Sequence, residues 1–212
     1  MWMFYRGLLN WADRTLPDHR HVGKLAFDHF FRSGCKSVCC ITSTYAEDRF
    51  WRERAEAFRF AARVAGVPCV MLGEHEKEAH SQHDEFLLAG KRVEELARLP
   101  ERPDAVFVAN GYGPYVYEHL RRAGIQPMVD IQIVAGDFQV CSHYLDPDPV
   151  KVDIHAEEVG RAAFEFLLAR IANPGGPRLT HFVEPELLLP GQLPQRPTAN
   201  AAELADLSAT RR

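Results

Sequence analysis

The sequence has no excess of basic residues. Its 212 residues include 25 Lys and Arg against 29 Asp and Glu, which gives a formal net charge of −4. A nucleic-acid-binding surface normally shows a surplus of positive charge, so DNA or RNA binding by this chain alone is not expected. The sequence also lacks a long apolar run, because Arg6 and Asp13 interrupt the apolar first residues. We therefore expect neither a signal peptide nor a transmembrane helix.

Patterns typical of metal sites, disulfide frameworks and catalytic centres are also missing. The intervals between His75, His80 and His83 do not match a zinc pattern, and their polar surroundings favour a solvated loop. The segment 110–114, Asn-Gly-Tyr-Gly-Pro, lacks the Lys of a phosphate-binding loop. No nucleophile lies beside a supporting base, so we expect no metal, no cofactor and no enzymatic activity. The cysteines are odd in number and irregularly spaced, which favours reduced thiols and a cytoplasmic protein: Cys35, Cys39, Cys40, Cys69 and Cys141.

The central unit of the chain is a strand–helix–strand segment over residues 103–138. The apolar run after Pro103 is typical of a strand buried on both faces of a parallel sheet. Pro114 suits the first turn of the following helix, and Gly124 is typical of its end. The next apolar run, 131–134, leads to Asp137. Since ligands of open α/β sheets bind at the carboxyl ends of strands, Asn110 and Asp137 are predicted to face one crevice.

The remaining segments alternate between helical and strand patterns. Such alternation predicts an α/β fold with a doubly wound parallel sheet. Residues 1–17 form an aromatic-rich stretch of uncertain type, 141–151 read as an extended linker, and 191–212 lack a core pattern and are predicted to be disordered. Helices are predicted at about 18–33, 49–65, 85–99 and 154–172, and strands at 37–42, 67–72 and 180–189.

Several phrases, in order, resemble the effector-binding domain of the LacI/GalR family of bacterial transcription regulators. Arg54-Ala-Glu-Ala-Phe58 resembles the family's R-x-x-G-F helix start, and residues 103–110, Pro-Asp-Ala-Val-Phe-Val-Ala-Asn, resemble its P-D-A-I-F-x-x-N. Residues 133–137, Ile-Val-Ala-Gly-Asp, resemble V-V-G-x-D, and residues 159–168 resemble the last helix. The likeness covers roughly residues 18–190. It departs from the pattern at Gly111, where the family has Asp, and at Ala135, where it has Gly.

The resemblance implies a type I periplasmic-binding-protein-like fold with most of the first lobe missing. Residues 18–190 would form the sensor domain, with about 34–140 mainly in the second lobe and 150–175 the last helix, packed on the first lobe. The implied function is sensing of a small-molecule effector, most simply a sugar, by lobe closure in a homodimer. DNA would be bound only through a head domain not present in this chain, and no membrane is involved.

The resemblance also names candidate ligand-binding residues, each with a plainer interpretation. Arg54 matches an arginine that bonds ligand oxygens, but it is one of five arginines on its helix. Asp137 matches an aspartate that accepts hydrogen bonds from the ligand, but it can also cap a turn. Asn110 ends a strand, although Asn before Gly is ordinary turn chemistry. An aromatic platform against a sugar ring is expected from Phe138 or Tyr45, and core or surface packing is the alternative for either.

Three other functions stay open from the sequence. A sugar-binding transport receptor shares the fold but requires export. An α/β enzyme could use the same crevice, since fold does not determine function. A sensor with an incomplete first lobe could also be unable to bind ligand, which would leave a dimerising remnant.

Overall fold

Two β-sheets organise the chain in a computed structural model that describes residues 2–3, 12–42, 49–74, 82–136 and 145–193. The strands are β1 (Trp2–Met3), β2 (Arg14–Pro17), β3 (Val38–Ile41), β4 (Cys69–Leu72), β5 (Ala105–Val108), β6 (Gln132–Ala135), β7 (Val150–Asp153), β8 (Thr180–Val183) and β9 (Glu186–Leu188). The helices are α1 (His19–Arg32), α2 (Arg49–Ala65), α3 (Gln82–Ala97), α4 (Gly113–Arg122) and α5 (Ala156–Ala172).

The larger sheet has six strands in the order β4-β3-β5-β6-β7-β9. All neighbouring pairs are parallel except β7 and β9, which are antiparallel. Every residue of β3 and β5 is buried, because helices cover both faces of the sheet. One core cluster combines α1 and α2 with one face, and a second combines α3 and α4 with the other. The prediction of a doubly wound α/β sheet is therefore confirmed.

The smaller sheet is parallel and has the order β1-β2-β8. The helix α5 packs on it. Asp13, just before β2, connects this sheet to α5. Its carboxylate accepts hydrogen bonds from Arg170 Nε at 2.9 Å, from Arg170 Nη2 at 2.6 Å and from the Leu179 backbone N–H at 2.8 Å. Residues 14–17, which the sequence left in a stretch of uncertain type, are thus a strand, because they pair with residues more than 160 positions away.

The chain passes between the two sheets after β2, after β7 and after β8. The first crossing contacts the end of β8, since the Asp18 backbone N–H donates to the Val183 carbonyl at 2.9 Å. Asp18 also caps α1 by accepting from the His21 N–H at 3.0 Å.

The prediction of a single strand over residues 180–189 is wrong, because this segment forms β8 and β9, which belong to different sheets. Pro185 lies at the break, where its missing N–H cannot continue a strand ladder.

Two further predictions are corrected by the structure. The strand β7 begins inside the predicted linker 141–151 and ends at Asp153, and α5 starts at Ala156, two residues after the predicted start of the helix. Helical spacing predicts a packing stripe on α5 at Val159, Ala163, Phe166, Leu167 and Ile171. Only the first half of the helix is buried, at Val159, Ala162 and Ala163. Leu167 is 38% exposed and Ile171 is 67% exposed, because the described strands of the smaller sheet do not cover the second half of the helix. None of the helices in the described part of the chain has the length and hydrophobicity needed to cross a bilayer.

Candidate functional site

Arg54 lies at the carboxyl ends of β5 and β6. It is on the buried stripe of α2 with Phe58 and is only 2% exposed. Its Nη1 donates to the carbonyls of Ala109 and Gly136, each at 3.1 Å, and these residues directly follow the two strands. The interpretation of Arg54 as a solvated helix arginine does not fit its burial, and its contact with a ligand stays a prediction.

Close helix packing holds Arg54 in place. Gly23 on α1 faces the backbone of α2, and a Cβ added to Gly23 would lie 2.0 Å from the Arg54 carbonyl oxygen. Gly136 is similarly constrained, since a Cβ there would lie 2.8 Å from the Val108 carbonyl oxygen. Both glycines allow a close backbone approach that any larger residue would prevent.

Asn110 follows β5 directly and is 1% exposed. Its Oδ1 accepts from the Tyr112 backbone N–H at 3.2 Å, just before α4 begins. This bond to the Tyr112 N–H is the turn contact expected of an Asn that precedes Gly, and it is one of the contacts of Asn110. The structure also places Asn110 next to Ala109, whose carbonyl accepts from Arg54. Arg54 and Asn110 are thus brought to the same edge of the sheet.

The other candidate residues lie outside the described part of the chain: Asp137, Phe138 and Tyr45. Gly136, the last described residue before this gap, accepts from Arg54 through its carbonyl. Two other aromatic residues at the site pack on each other, since the rings of Trp51 and Tyr112 are 6.4 Å apart. Tyr112 is 2% exposed and belongs to the core on the α3/α4 face.

His19 is a site residue that the sequence did not single out. Its Nδ1 accepts from Arg54 Nε at 3.1 Å, and its ring centroid lies 4.5 Å from that of Phe50. Burial, and secondarily the positive charge of Arg54, lowers the pKa of His19 from 6.5 to about 2, so the ring is neutral. The only sequence signal was its place in the first turn of α1. Nothing in the neighbouring residues indicated that this turn is buried.

The cysteines in the described part of the chain show no activated thiol. Cys39 and Cys40 are free and buried, and burial raises the pKa of both thiols above the ordinary value. Burial also raises the pKa of Cys69 to about 11. A thiol with a raised pKa is a poor nucleophile at neutral pH. Among the described residues, no group of three or more His, Cys, Asp or Glu is arranged to hold a metal ion.

Residues 27–192 match the family described as the periplasmic binding protein-like domain. The chain belongs to this family. The match covers most of the chain and includes both Arg54 and Asn110. It therefore covers the whole larger sheet and the last helix.

Curated relatives give a consistent result. The chain is 24% identical over 179 residues to the HTH-type transcriptional repressor PurR of Vibrio vulnificus, covering 84% of this chain and 52% of the relative. It is 23% identical over 183 residues to the PurR repressor of Photobacterium profundum, with the same coverage. The chain thus spans about half the length of the curated relatives it matches.

Solved structures show the same fold. A LacI family transcriptional regulator from Enterococcus faecium with bound ribose superposes with a TM-score of 0.71 at 17% identity, over 87% of this chain and 66% of that one. A periplasmic binding protein/LacI transcriptional regulator from Alkaliphilus metalliredigens complexed with D-xylulofuranose has a TM-score of 0.68 at 19% identity, over 84% and 64%. The resemblance to a LacI/GalR effector-binding domain and the type I periplasmic-binding-protein-like fold are confirmed.

Proposed function

We propose that this chain senses a small molecule as the effector-binding part of a LacI/GalR-like transcription regulator. The observation that carries the proposal is Arg54, a buried guanidinium whose contacts join α1, α2 and the ends of β5 and β6. A ligand bound at this edge would contact elements of the larger sheet near the point where the chain crosses to the smaller one. Better binding to a closed arrangement of the two parts is sufficient for the ligand to favour closure.

The proposed effector is a sugar, since the two solved neighbours described above hold ribose and D-xylulofuranose. The PurR repressors among the relatives are the reason to include purine bases in the same test. Arg54 and Asp137 are proposed to bond ligand oxygens, with Asn110 beside them and Phe138 or Tyr45 against the ring. A guanidinium suits this role because its donors are planar and permanently charged.

The regulator proposal includes three further expectations about the protein. It acts in the cytoplasm as a homodimer formed by the same faces of two subunits. Its effector changes the fit of paired DNA-binding heads to DNA. It has no enzymatic activity of its own. A sugar-transport receptor with the same fold would instead bind a sugar without any linked effect on DNA.

Thermal unfolding with a panel of compounds tests the proposal. The panel contains D-ribose, D-xylulose, sugar phosphates, adenine and hypoxanthine, each tested on the wild type, Asp137→Ala and Arg54→Lys. A compound present at one hundred times its Kd stabilises the fold by about 2.7 kcal/mol. This free energy corresponds to roughly 5–10 °C in Tm for a chain of this size.

Arg59→Lys is the matched control for Arg54→Lys. Both residues are on α2, but Arg59 is bonded to Glu74 at the surface, with Nη1 2.8 Å from Oε1. The expected result is one compound that shifts the wild type and Arg59→Lys but not Asp137→Ala or Arg54→Lys. A well-folded wild type that responds to no compound contradicts the sensor proposal and supports the ligand-incompetent remnant.

A further inference from the structure

The imidazole of His19 carries a buried hydrogen-bond donor with no acceptor among the described residues. His19 is 3% exposed, and its Nε2 atom has no hydrogen-bond partner there. Its other nitrogen, Nδ1, accepts from Arg54 Nε at 3.1 Å. A guanidinium only donates, so Nδ1 must be the unprotonated nitrogen of a neutral ring. The proton is therefore on Nε2, and this N–H is the unsatisfied group.

Such a group is costly to bury. A buried donor without an acceptor costs about 1–3 kcal/mol relative to one that is bonded. The fold does not need this donor for its own contacts: the Arg54 contact uses Nδ1, and the contact with Phe50 uses the ring face. The unbonded Nε2–H contributes nothing to the unliganded fold. A ligand that brings an acceptor atom to this N–H would explain its presence.

The location of His19 suits a ligand contact. It is the first residue of α1, directly after the crossing from β2, and Asp18 beside it is bonded to the crossing after β8. Through Arg54 it is connected to the carbonyls that follow β5 and β6. His19 thus lies at the start of α1, next to the segment that connects the two sheets and within one contact of the ends of β5 and β6.

We propose that His19 is a ligand-binding residue of this site and donates its Nε2–H to an acceptor atom of the effector. The inference rests on the proposed function and narrows its ligand class. The effector must present a neutral or anionic acceptor, such as a sugar hydroxyl or ring oxygen, a carbonyl oxygen or an unprotonated ring nitrogen. An ammonium group at this position is excluded, because it has no lone pair to accept the hydrogen bond.

Two substitutions separate the two nitrogens of the ring. In His19→Asn the amide oxygen occupies the region of Nδ1 and can accept from Arg54, but nothing reaches the position of Nε2. In His19→Gln an amide reaches the position of Nε2 and can donate to the ligand, while the acceptor for Arg54 is lost. Isothermal titration with D-ribose, D-xylulose, adenine and hypoxanthine on both variants and the wild type gives the affinities.

For the probe that binds the wild type, the expected result is a Kd about tenfold higher in His19→Asn, since one hydrogen bond is lost and the ligand acceptor is left unpaired. His19→Gln is expected to bind this probe more tightly than His19→Asn. Equal affinity of the wild type and His19→Asn overturns the role of His19 but leaves the sensor proposal intact. If none of the four probes binds the wild type, the proposed function fails and the inference fails with it.

A measurement on the unsubstituted protein covers the case in which a variant does not fold. Long-range proton–nitrogen NMR of the isotope-labelled wild type identifies the protonated nitrogen of each histidine ring, and the ring of His19 is assigned through its scalar couplings to the assigned His19 backbone. The expected spectrum shows the Nε2–H form without ligand, and a shift of this proton when the bound probe is added. A proton on Nδ1, or an unchanged Nε2–H signal at saturation, overturns the inference.

Discussion

Gly23→Ala is expected to destabilise the fold and weaken the site together. The added Cβ would lie 2.0 Å from the Arg54 carbonyl oxygen and 3.0 Å from the Phe58 backbone nitrogen. Both atoms are backbone, so neither can rotate away, and α1 must move from α2 by about 1 Å or more to restore ordinary contact. Overpacking of this kind costs about 1–3 kcal/mol. Replacing Gly by Ala within a helix by itself raises the free energy of unfolding by roughly 0.5–1 kcal/mol.

The net expected loss is about 0–2.5 kcal/mol, which corresponds to a fall in Tm of up to roughly 10 °C. Differential scanning calorimetry or urea denaturation measures it. The displacement moves the backbone of Arg54 itself, so a compound that stabilises the wild type is expected to stabilise Gly23→Ala less. This second readout distinguishes a change at the site from a general loss of stability.

Gly160→Ala on α5 is the matched control. It is also a Gly-to-Ala change inside a helix, but a Cβ at Gly160 meets no atom within 4 Å. Only the higher helix propensity of Ala acts at this position, so the free energy of unfolding of this variant is expected to rise by about 0.5–1 kcal/mol. If Gly23→Ala is as stable as Gly160→Ala, the close approach of α1 and α2 and the argument from it are wrong.

Two further predictions concern buried polar groups. The pKa of His19 is about 2 in the folded protein against 6.5 when unperturbed, so below pH 6.5 the unfolded state binds a proton that the folded state does not. The free energy of unfolding of the wild type is therefore expected to fall relative to that of His19→Asn by up to about 1.4 kcal/mol per pH unit between pH 6.5 and 5. Urea denaturation at several pH values measures it, and the same pH dependence in both proteins would contradict this expectation. Tyr117 Oη is buried with no partner among the described residues. Tyr117→Phe is expected to leave the free energy of unfolding unchanged or raise it by up to about 1 kcal/mol, whereas a loss above about 1 kcal/mol would show that the hydroxyl is bonded.

Much of the larger sheet was predictable from short stretches of sequence. Each signal lies within a few neighbouring residues. Examples are the apolar run of β5, the helical spacing of Phe58 and Ala62 on α2, and the Pro and Gly near the two ends of α4. Local signals of this kind depend on residues that are neighbours in sequence, so a single sequence contains them. The ordered phrases then selected Arg54 from five arginines on the same helix, and the structure places its guanidinium at the ends of β5 and β6.

The smaller sheet and the division of residues 180–189 were not predictable in this way. The strand β2 exists because it pairs with β8, and Asp13 is held by Arg170 and by the backbone of Leu179. These partners are more than 150 positions apart. The pattern on α5 predicted an apolar face correctly but could not show how much of that face the described strands cover.

The sequence by itself determined the alternation of strands and helices, the doubly wound sheet and the position of Asn110 at its edge. Only the tertiary structure decided that His19 is buried, neutral and bonded to Arg54 through Nδ1, with its Nε2–H unsatisfied among the described residues. The physical reason is that strand and helix patterns arise from nearest neighbours along the chain. The desolvation of one imidazole depends on every element packed around it, and these elements come from distant parts of the sequence.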